Sequence, residues 1–252
     1  MPLPRTPSFR LDGKRALVAG GSRGIGLGCA VALAEAGAHV IVAARGAAQV
    51  QAAVDEMARD GLSAEALVLD VTDVVAVLKA VTALEPIDVL VNSAGLARHS
   101  PALETTPEDF DVVSEINIKA AYFLAQAVAR QMVKRGGTII QISSQMAHVG
   151  GIERAVYCAT KHALEGMTKA MAIEWGPENI RVNTICPTFI LTEVSKPTFA
   201  DPEKRAWIES KIKLPRVGEV EDIMGACVFL ASDASALVTG TSLLIDGGWT
   251  AG

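Results

Sequence analysis

Residues 15–26 read Arg15-Ala16-Leu17-Val18-Ala19-Gly20-Gly21-Ser22-Arg23-Gly24-Ile25-Gly26, and their order decides the fold. The apolar run at 16–19 suits a buried strand, and the stretch at 25–36 is long enough for a helix. Between them, glycines at 20, 24 and 26 let the backbone turn tightly and approach a ligand. A strand, a glycine loop and a helix in this order aim free N–H groups and the positive end of a helix dipole at one point, which suits a pyrophosphate. The candidate phosphate-loop residues are Gly20, Ser22, Arg23, Gly24, Ile25 and Gly26. The spacing is GxxxGxG rather than GxGxxG, and a purely structural glycine turn is the alternative.

The same alternation runs outward to the end of the chain. Further strands are expected at 39–43, 66–69, 89–91, 138–142, 181–185 and 242–245. Helices are expected at 47–60, 74–84, 107–135, 155–175, 202–212 and 219–231. Strands apolar on both faces belong to a parallel sheet covered by helices on each side. The predicted class is α/β: one Rossmann-type doubly wound parallel sheet of about seven strands. No repeat or long linker divides the chain, so residues 1–252 are expected to form one dinucleotide-binding and catalytic domain. Residues 1–12 read as a loose arm. Residues 187–214, rich in Thr, Pro and Lys, break the rhythm and read as a substrate loop or lid.

Composition bounds the function. Half of the 252 residues are hydrophobic and 20% are charged, enough for a sizeable core and against bulk disorder. A net charge of −5 argues against a nucleic-acid partner. No apolar run reaches the length of a membrane span, and the first twenty residues do not form a secretory signal, so no membrane role and a cytoplasmic location are expected. Cys29, Cys158, Cys186 and Cys227 form no CxxC pair. Their spacing suits neither a disulfide framework nor a zinc site, so reduced thiols and no metal are expected.

The end of the second expected strand reads Ala43-Ala44-Arg45. NAD binders usually carry a carboxylate about twenty positions beyond the glycine loop to hold the ribose 2′-hydroxyl. Here Ala44 and Arg45 occupy that region, and Arg23 sits in the loop. Two guanidinium groups suit a 2′-phosphate, so NADP(H) is preferred and NAD(H) is possible. The plain alternative is that Arg45 faces solvent and Arg23 caps the turn.

Tyr157 and Lys161 lie four apart in an expected helix and so share a face. A nearby ammonium favours the phenolate and lowers the tyrosine pKa, which makes the pair an acid–base unit. Ser144 is expected to end the preceding strand, at the rim where such sheets bind ligands. Its hydroxyl can stabilise charge on a substrate oxygen; the alternative is a turn or cap residue. Asn117, between Ile116 and Ile118, is a polar amide that needs partners, and a satisfied structural amide is the bland reading.

With these residues in order, the chain resembles the short-chain dehydrogenase/reductase family from about Leu11 to Thr250. The other matching pieces are Asp70-Val71, Asn92-Ser93-Ala94-Gly95, Pro187 through Thr192, and Ile245-Asp246-Gly247-Gly248. The resemblance implies that Tyr157 donates the proton to a carbonyl oxygen, that Lys161 lowers its pKa and holds the nicotinamide ribose, and that Ser144 positions the carbonyl. It implies that Asn117 holds a relay water. Asp70 and Val71 would flank the adenine, with Asn92, Ala94 and Gly95 along the cofactor path. Pro187, Ile190 and Thr192 would lie at the nicotinamide end. Ala19 and Thr188 depart from the usual Thr and Gly, and Thr188 narrows the space beside the nicotinamide.

Within the family, the likeness is to NADPH-dependent dicarbonyl/xylulose reductases, carried by Ser143-Ser144-Gln145, Val156-Tyr157-Cys158, Pro187-Thr188, Asp201-Pro202 and Glu219-Val220-Glu221. Arg154 replaces the His of those enzymes and favours an anionic substrate; Gln145 and Thr188 are further substrate candidates. The expected substrate is a small-molecule ketone or secondary alcohol: a sugar, polyol, keto acid or α-dicarbonyl. An NAD-linked sugar-acid or polyol dehydrogenase, a 3-oxoacyl thioester reductase and a non-catalytic dinucleotide sensor are the alternatives. The broad apolar faces of 107–135 and 155–175, together with the resemblance, imply a homotetramer.

Overall fold

The computed structural model describes residues 3–252; Met1 and Pro2 of the expected arm lie outside the described residues. Seven parallel strands form one sheet in the order β3-β2-β1-β4-β5-β6-β7. They are β1 (Arg15–Ala19), β2 (His39–Ala44), β3 (Ala64–Val68), β4 (Val89–Asn92), β5 (Gly137–Ile142), β6 (Ile180–Pro187) and β7 (Ser242–Ile245). The order reverses between β1 and β4, so their carboxyl ends open a crevice between the loops that leave them.

Helices cover both faces. One face carries α1 (Gly24–Glu35), α2 (Ala47–Arg59) and α9 (Glu221–Ala231), packed on Ala16 and Val18 of β1. The other carries α3 (Val74–Ala83), α5 (Ala121–Met132) and α6 (Ala155–Trp175), packed on Leu17 and Ala19. Alternate residues of one strand thus enter opposite cores, which is why the strand reads as an unbroken apolar run.

Edge strands depart from that pattern. β3 runs two residues earlier at its start than the expected 66–69 and exposes Glu65 and Val68, because only β2 flanks it. β7 is likewise half-exposed beyond β6. The expected helix at 107–135 is broken into α4 (Pro107–Ser114), a π-helical segment at Glu115–Ala120 and α5. The N-terminal arm is tied down near its end: Phe9 packs against Phe229, the Arg10 Nη1 donates to the Glu35 carbonyl at 3.0 Å, and Leu11 is buried.

The segment after β6 carries α7 (Lys196–Ala200) and α8 (Pro202–Lys211). Asp201 starts α8 by accepting from the N–H groups of Glu203 and Lys204, the cap expected of Asp before Pro. Phe199, Ile208, Ile212 and Val217 form a small core of their own with Phe189 and Trp249. No helix among the described residues is long and apolar enough to cross a membrane.

Candidate active site

A cavity of about 540 Å³ lies at the carboxyl ends of the strands, where the order reverses. That volume suits a cofactor or small ligand. Its floor is the glycine loop. Gly20 has φ +74°, and a Cβ there would stand 2.9 Å from the Ala94 amide nitrogen, so the β1 and β4 loops can close on each other only over glycine. α1 then begins without any side-chain cap, which leaves the N–H groups of its first turn facing the cavity. Gly20, Ser22, Arg23, Gly24, Ile25 and Gly26 all line it.

Ala44, Arg45, Asp70 and Val71 line the far end. Among the described residues neither Arg23 nor Arg45 enters an ion pair. Asp70 is held below its ordinary pKa by the Thr72 N–H, with the Thr72 hydroxyl and the charge of Arg45 adding to that. Gly46 and Gln49, at the start of α2, also line this end, although the sequence reading passed over them. Their signal was the helix onset directly after Arg45: α2 too begins without a side-chain cap, and its positive end adds to the two guanidinium groups.

The other end gathers residues from four elements. Ser144, Tyr157, Lys161, Pro187, Thr188 and Thr192 share one wall with Ala94 and Gly95. The Lys161 Nζ donates to the Ile142 carbonyl at 2.8 Å and lies 5.7 Å from the Tyr157 ring centre. Burial pulls Lys161 down to about 8, while Cys186 and Glu165 act in the opposite direction. Burial pushes the Tyr157 phenol above its ordinary value; a hydrogen bond with Ser144 and the charge of Arg154 pull it part of the way back. This reverses the direction expected from the sequence. The physical reason is that α6 is docked on the sheet, so the helix spacing that pairs the two groups also buries Lys161 and half-buries Tyr157.

Ser144 does not end β5, which stops at Ile142. It caps the short turn Gln145–Ala147, accepting from the Met146 N–H at 3.1 Å. The turn folds Gln145 back under it, so that the Ser144 hydroxyl donates to the Gln145 Oε1 at 2.9 Å. Gln145 is therefore buried off the cavity wall, not a wall residue as expected.

Four more expected residues stand behind the wall rather than on it. Asn92 is buried, donating to Gln141 at 2.8 Å and accepting from the Ala94 N–H. Asn117 sits in the π-helical segment, whose extra residue per turn swings it inward. Its amide accepts from the Leu96 N–H at 2.9 Å and donates to the Leu96 carbonyl and to the Thr160 hydroxyl. A π-turn is invisible to helix periodicity; the polar amide between two isoleucines was its one sign. Ile190 pairs with Gly218 in an isolated bridge, which draws its side chain into the core. Arg154 lies with its guanidinium carbon 5.4 Å from the Phe189 ring centre, because the chain turns at Glu153 (φ +60°) just before α6. It enters no ion pair among the described residues.

From the segment after β6, Thr192, Glu193 and Val194 also line the cavity. Thr188 Oγ1, on the same wall, is buried with no partner among the described residues. His99, on the loop after β4, packs edge-on to Tyr157 with centroids 6.1 Å apart, a neighbour that nothing in its sequence setting announced. Trp249 stacks on Phe189 and meets Trp207 edge-on.

A family model described as enoyl-(acyl carrier protein) reductase matches residues 19–250. The chain is 41% identical to the gluconate 5-dehydrogenase of Gluconobacter oxydans (strain 621H), over 96% of each chain. It is 41% identical to the D-erythrulose reductase of Gallus gallus, over 96% of this chain and 98% of that protein. Among solved structures, a gluconate 5-dehydrogenase from Burkholderia cenocepacia J2315 in complex with NADP and tartrate is similar with a TM-score of 0.93 and 36% identity, covering 97% of this chain and 98% of that one.

Proposed function

The chain belongs to the short-chain dehydrogenase/reductase family and is an NAD(P)-dependent oxidoreductase of an alcohol/carbonyl pair; we propose that it uses NADP(H) on a sugar acid or its keto form. The observation that carries this reading is one continuous wall on which Ser144, Tyr157 and Lys161 meet the glycine loop. The uncapped start of α1, the two unpaired arginines and the orphan hydroxyl of Thr188 fit a phosphate-bearing dinucleotide. Bound there, the nicotinamide supplies or accepts the hydride.

The chain's own groups handle the proton. In the reductive direction the Ser144 hydroxyl turns from Gln145 to donate its hydrogen bond to the carbonyl oxygen and so aligns it with Tyr157. Tyr157, held protonated at neutral pH by its burial, gives its phenolic proton to that oxygen. The Lys161 ammonium stabilises the phenolate left behind. Asn117 acts by position: with its amide committed to Leu96 and Thr160, it holds the loop that faces Lys161 across Gly95. Any relay water would therefore bind to groups of the π-turn other than that amide.

NADP preference is tested by fluorescence titration with NADPH and NADH. A charge-assisted phosphate contact is worth roughly 1.5–3 kcal/mol, so Arg45→Ala is expected to weaken NADPH by about 10- to 100-fold and to leave NADH unchanged. Equal losses for both cofactors would remove Arg45 from the 2′-phosphate and return NAD to first place.

The sugar-acid choice rests on Arg154, which stands off the cavity wall in this structure but carries its charge next to Tyr157. Its half-buried guanidinium has no carboxylate partner among the described residues, and its charge is felt at Tyr157. The named gluconate 5-dehydrogenases favour the same class of substrate. Arg154→Ala is expected to raise KM for a hexonate by about tenfold or more while changing KM for the corresponding neutral ketose little. Equal effects on both favour the second reading, a neutral sugar or polyol, for which the D-erythrulose reductase likeness speaks. The exposed Phe110, Val112, Tyr122 and Ile173 support homotetramer packing through α4, α5 and α6, which the mass in solution checks.

A further inference from the structure

Beneath the candidate active site lies a second cluster that the proton chemistry does not use. His148 follows the Ser144 turn, Glu165 stands one helical turn beyond Lys161 on α6, and Cys186 is on β6 just before Pro187. One ligand atom from each lies within 4.8 Å of the others. Glu165 and Cys186 are buried and His148 is exposed.

Glu165 is an unusual buried carboxylate. Its donors are all neutral: the Thr184 hydroxyl at 2.9 Å, the Ser242 hydroxyl, and the Cys186 thiol at 3.4 Å. No cation pairs with it among the described residues. A buried anion with no cation in contact is costly, and three neutral bonds, with the more distant charge of Lys161, offset only part of that cost. A carboxylate, a thiol and an imidazole are the donor types that zinc takes.

We propose that His148, Glu165 and Cys186 form a binding site for a zinc-class divalent cation, and that its occupation inhibits the enzyme. The dimensions suit the ion. Zinc–ligand bonds of about 2.0–2.3 Å set tetrahedral edges of roughly 3.3–3.6 Å. The Cys186–Glu165 edge already measures 3.4 Å. The remaining shortening falls on His148, which is free to rotate at the surface.

Binding releases the thiol proton to solvent and forms a metal–thiolate bond. The site's charge then changes from −1, on Glu165 alone, to zero, with two anionic ligands under a doubly charged ion. His148 supplies the neutral third ligand, and a water can take the fourth position. Inhibition follows from placement: the ion binds one helical turn from Lys161 and neutralises the Glu165 anion that supports the lysine's charge. That consequence rests on the role proposed for Lys161; binding itself does not.

The test therefore reads binding without turnover. Cobalt(II) is titrated into the protein and followed by its thiolate-to-metal absorption, in wild type, His148→Ala and Cys158→Ser. The expected result is a band saturating at one equivalent, displaced by zinc, kept in Cys158→Ser and weakened about tenfold or more in His148→Ala. In parallel, zinc should abolish turnover of wild type reversibly with a chelator, and inhibit His148→Ala only at correspondingly higher concentration. An absent band, a band unchanged in His148→Ala, or one lost in Cys158→Ser would overturn the site. Stoichiometric binding with full turnover would overturn its inhibitory role. A protein that binds cobalt as expected but turns over no hexonate or ketose leaves the site standing and removes the proposed substrate class instead.

Discussion

Tyr157→Phe is expected to lower kcat by about 10³-fold while the dissociation constant of NADPH stays within about twofold of wild type. The substitution removes one hydroxyl and keeps the ring, so the packing against His99 and the cavity wall survives. What is lost is the proton donor at the carbonyl oxygen. General acid catalysis contributes about 10²- to 10⁴-fold, and this site has no obvious substitute. Ser144 donates to the Gln145 amide and its pKa is far too high for a full transfer, while Lys161 is turned toward the Ile142 carbonyl. Single-turnover rates with a hexulosonate, read beside NADPH titrations, check the outcome. A variant within tenfold of wild type would sink the acid–base assignment and move attention to His99 as the donor.

Lys161→Met is expected to cost about 10²- to 10³-fold in kcat/KM, and to change the shape of the pH profile. The ammonium is buried and pulled down to about 8. It is therefore charged below that pH and discharged above it, so carbonyl reduction by wild type should fall as pH rises through about 8. Tyr157 gives no competing limb there, because its burial moves it upward, away from neutrality. Methionine keeps the apolar stem and removes the titrating group, so the residual activity of the variant should be flat across that window. A limb at the same pH in Lys161→Met would remove the assignment to Lys161; His99, whose pKa burial lowers, and Cys158, whose pKa burial raises, both move away from that window. The thermal midpoint of the variant, compared with wild type, separates loss of chemistry from loss of fold.

Most of the architecture was legible because it depends on local pattern. The strand at 16–19, the glycine turn and the helix that follows are written in consecutive residues, and the same is true of the six later strands. The helix at Ala155–Trp175 and the strand at Ser242–Ile245 have the bounds that periodicity indicates. Errors cluster where a neighbour rather than the residue decides. β3 is shifted and half-exposed because it has one partner, a matter of sheet order. The π-turn at Glu115–Ala120 places Asn117 against Leu96 and Thr160, contacts that span 21 and 43 positions of chain.

The candidate site divides along the same line. Residue types in sequence determined which chemistry is available: glycines that permit a close approach, arginines in place of a carboxylate, and a tyrosine and lysine one helical turn apart. Only the tertiary structure decided what each group meets. It set Arg154 on Phe189, turned Gln145 away from the cavity, and raised the Tyr157 pKa where spacing alone indicated a lowered one. It also brought together His148, Glu165 and Cys186, whose separation along the chain carries no ligand signature. The reason is physical: periodicity reports which face of an element a side chain occupies, whereas desolvation and charge depend on which other elements are packed over that face.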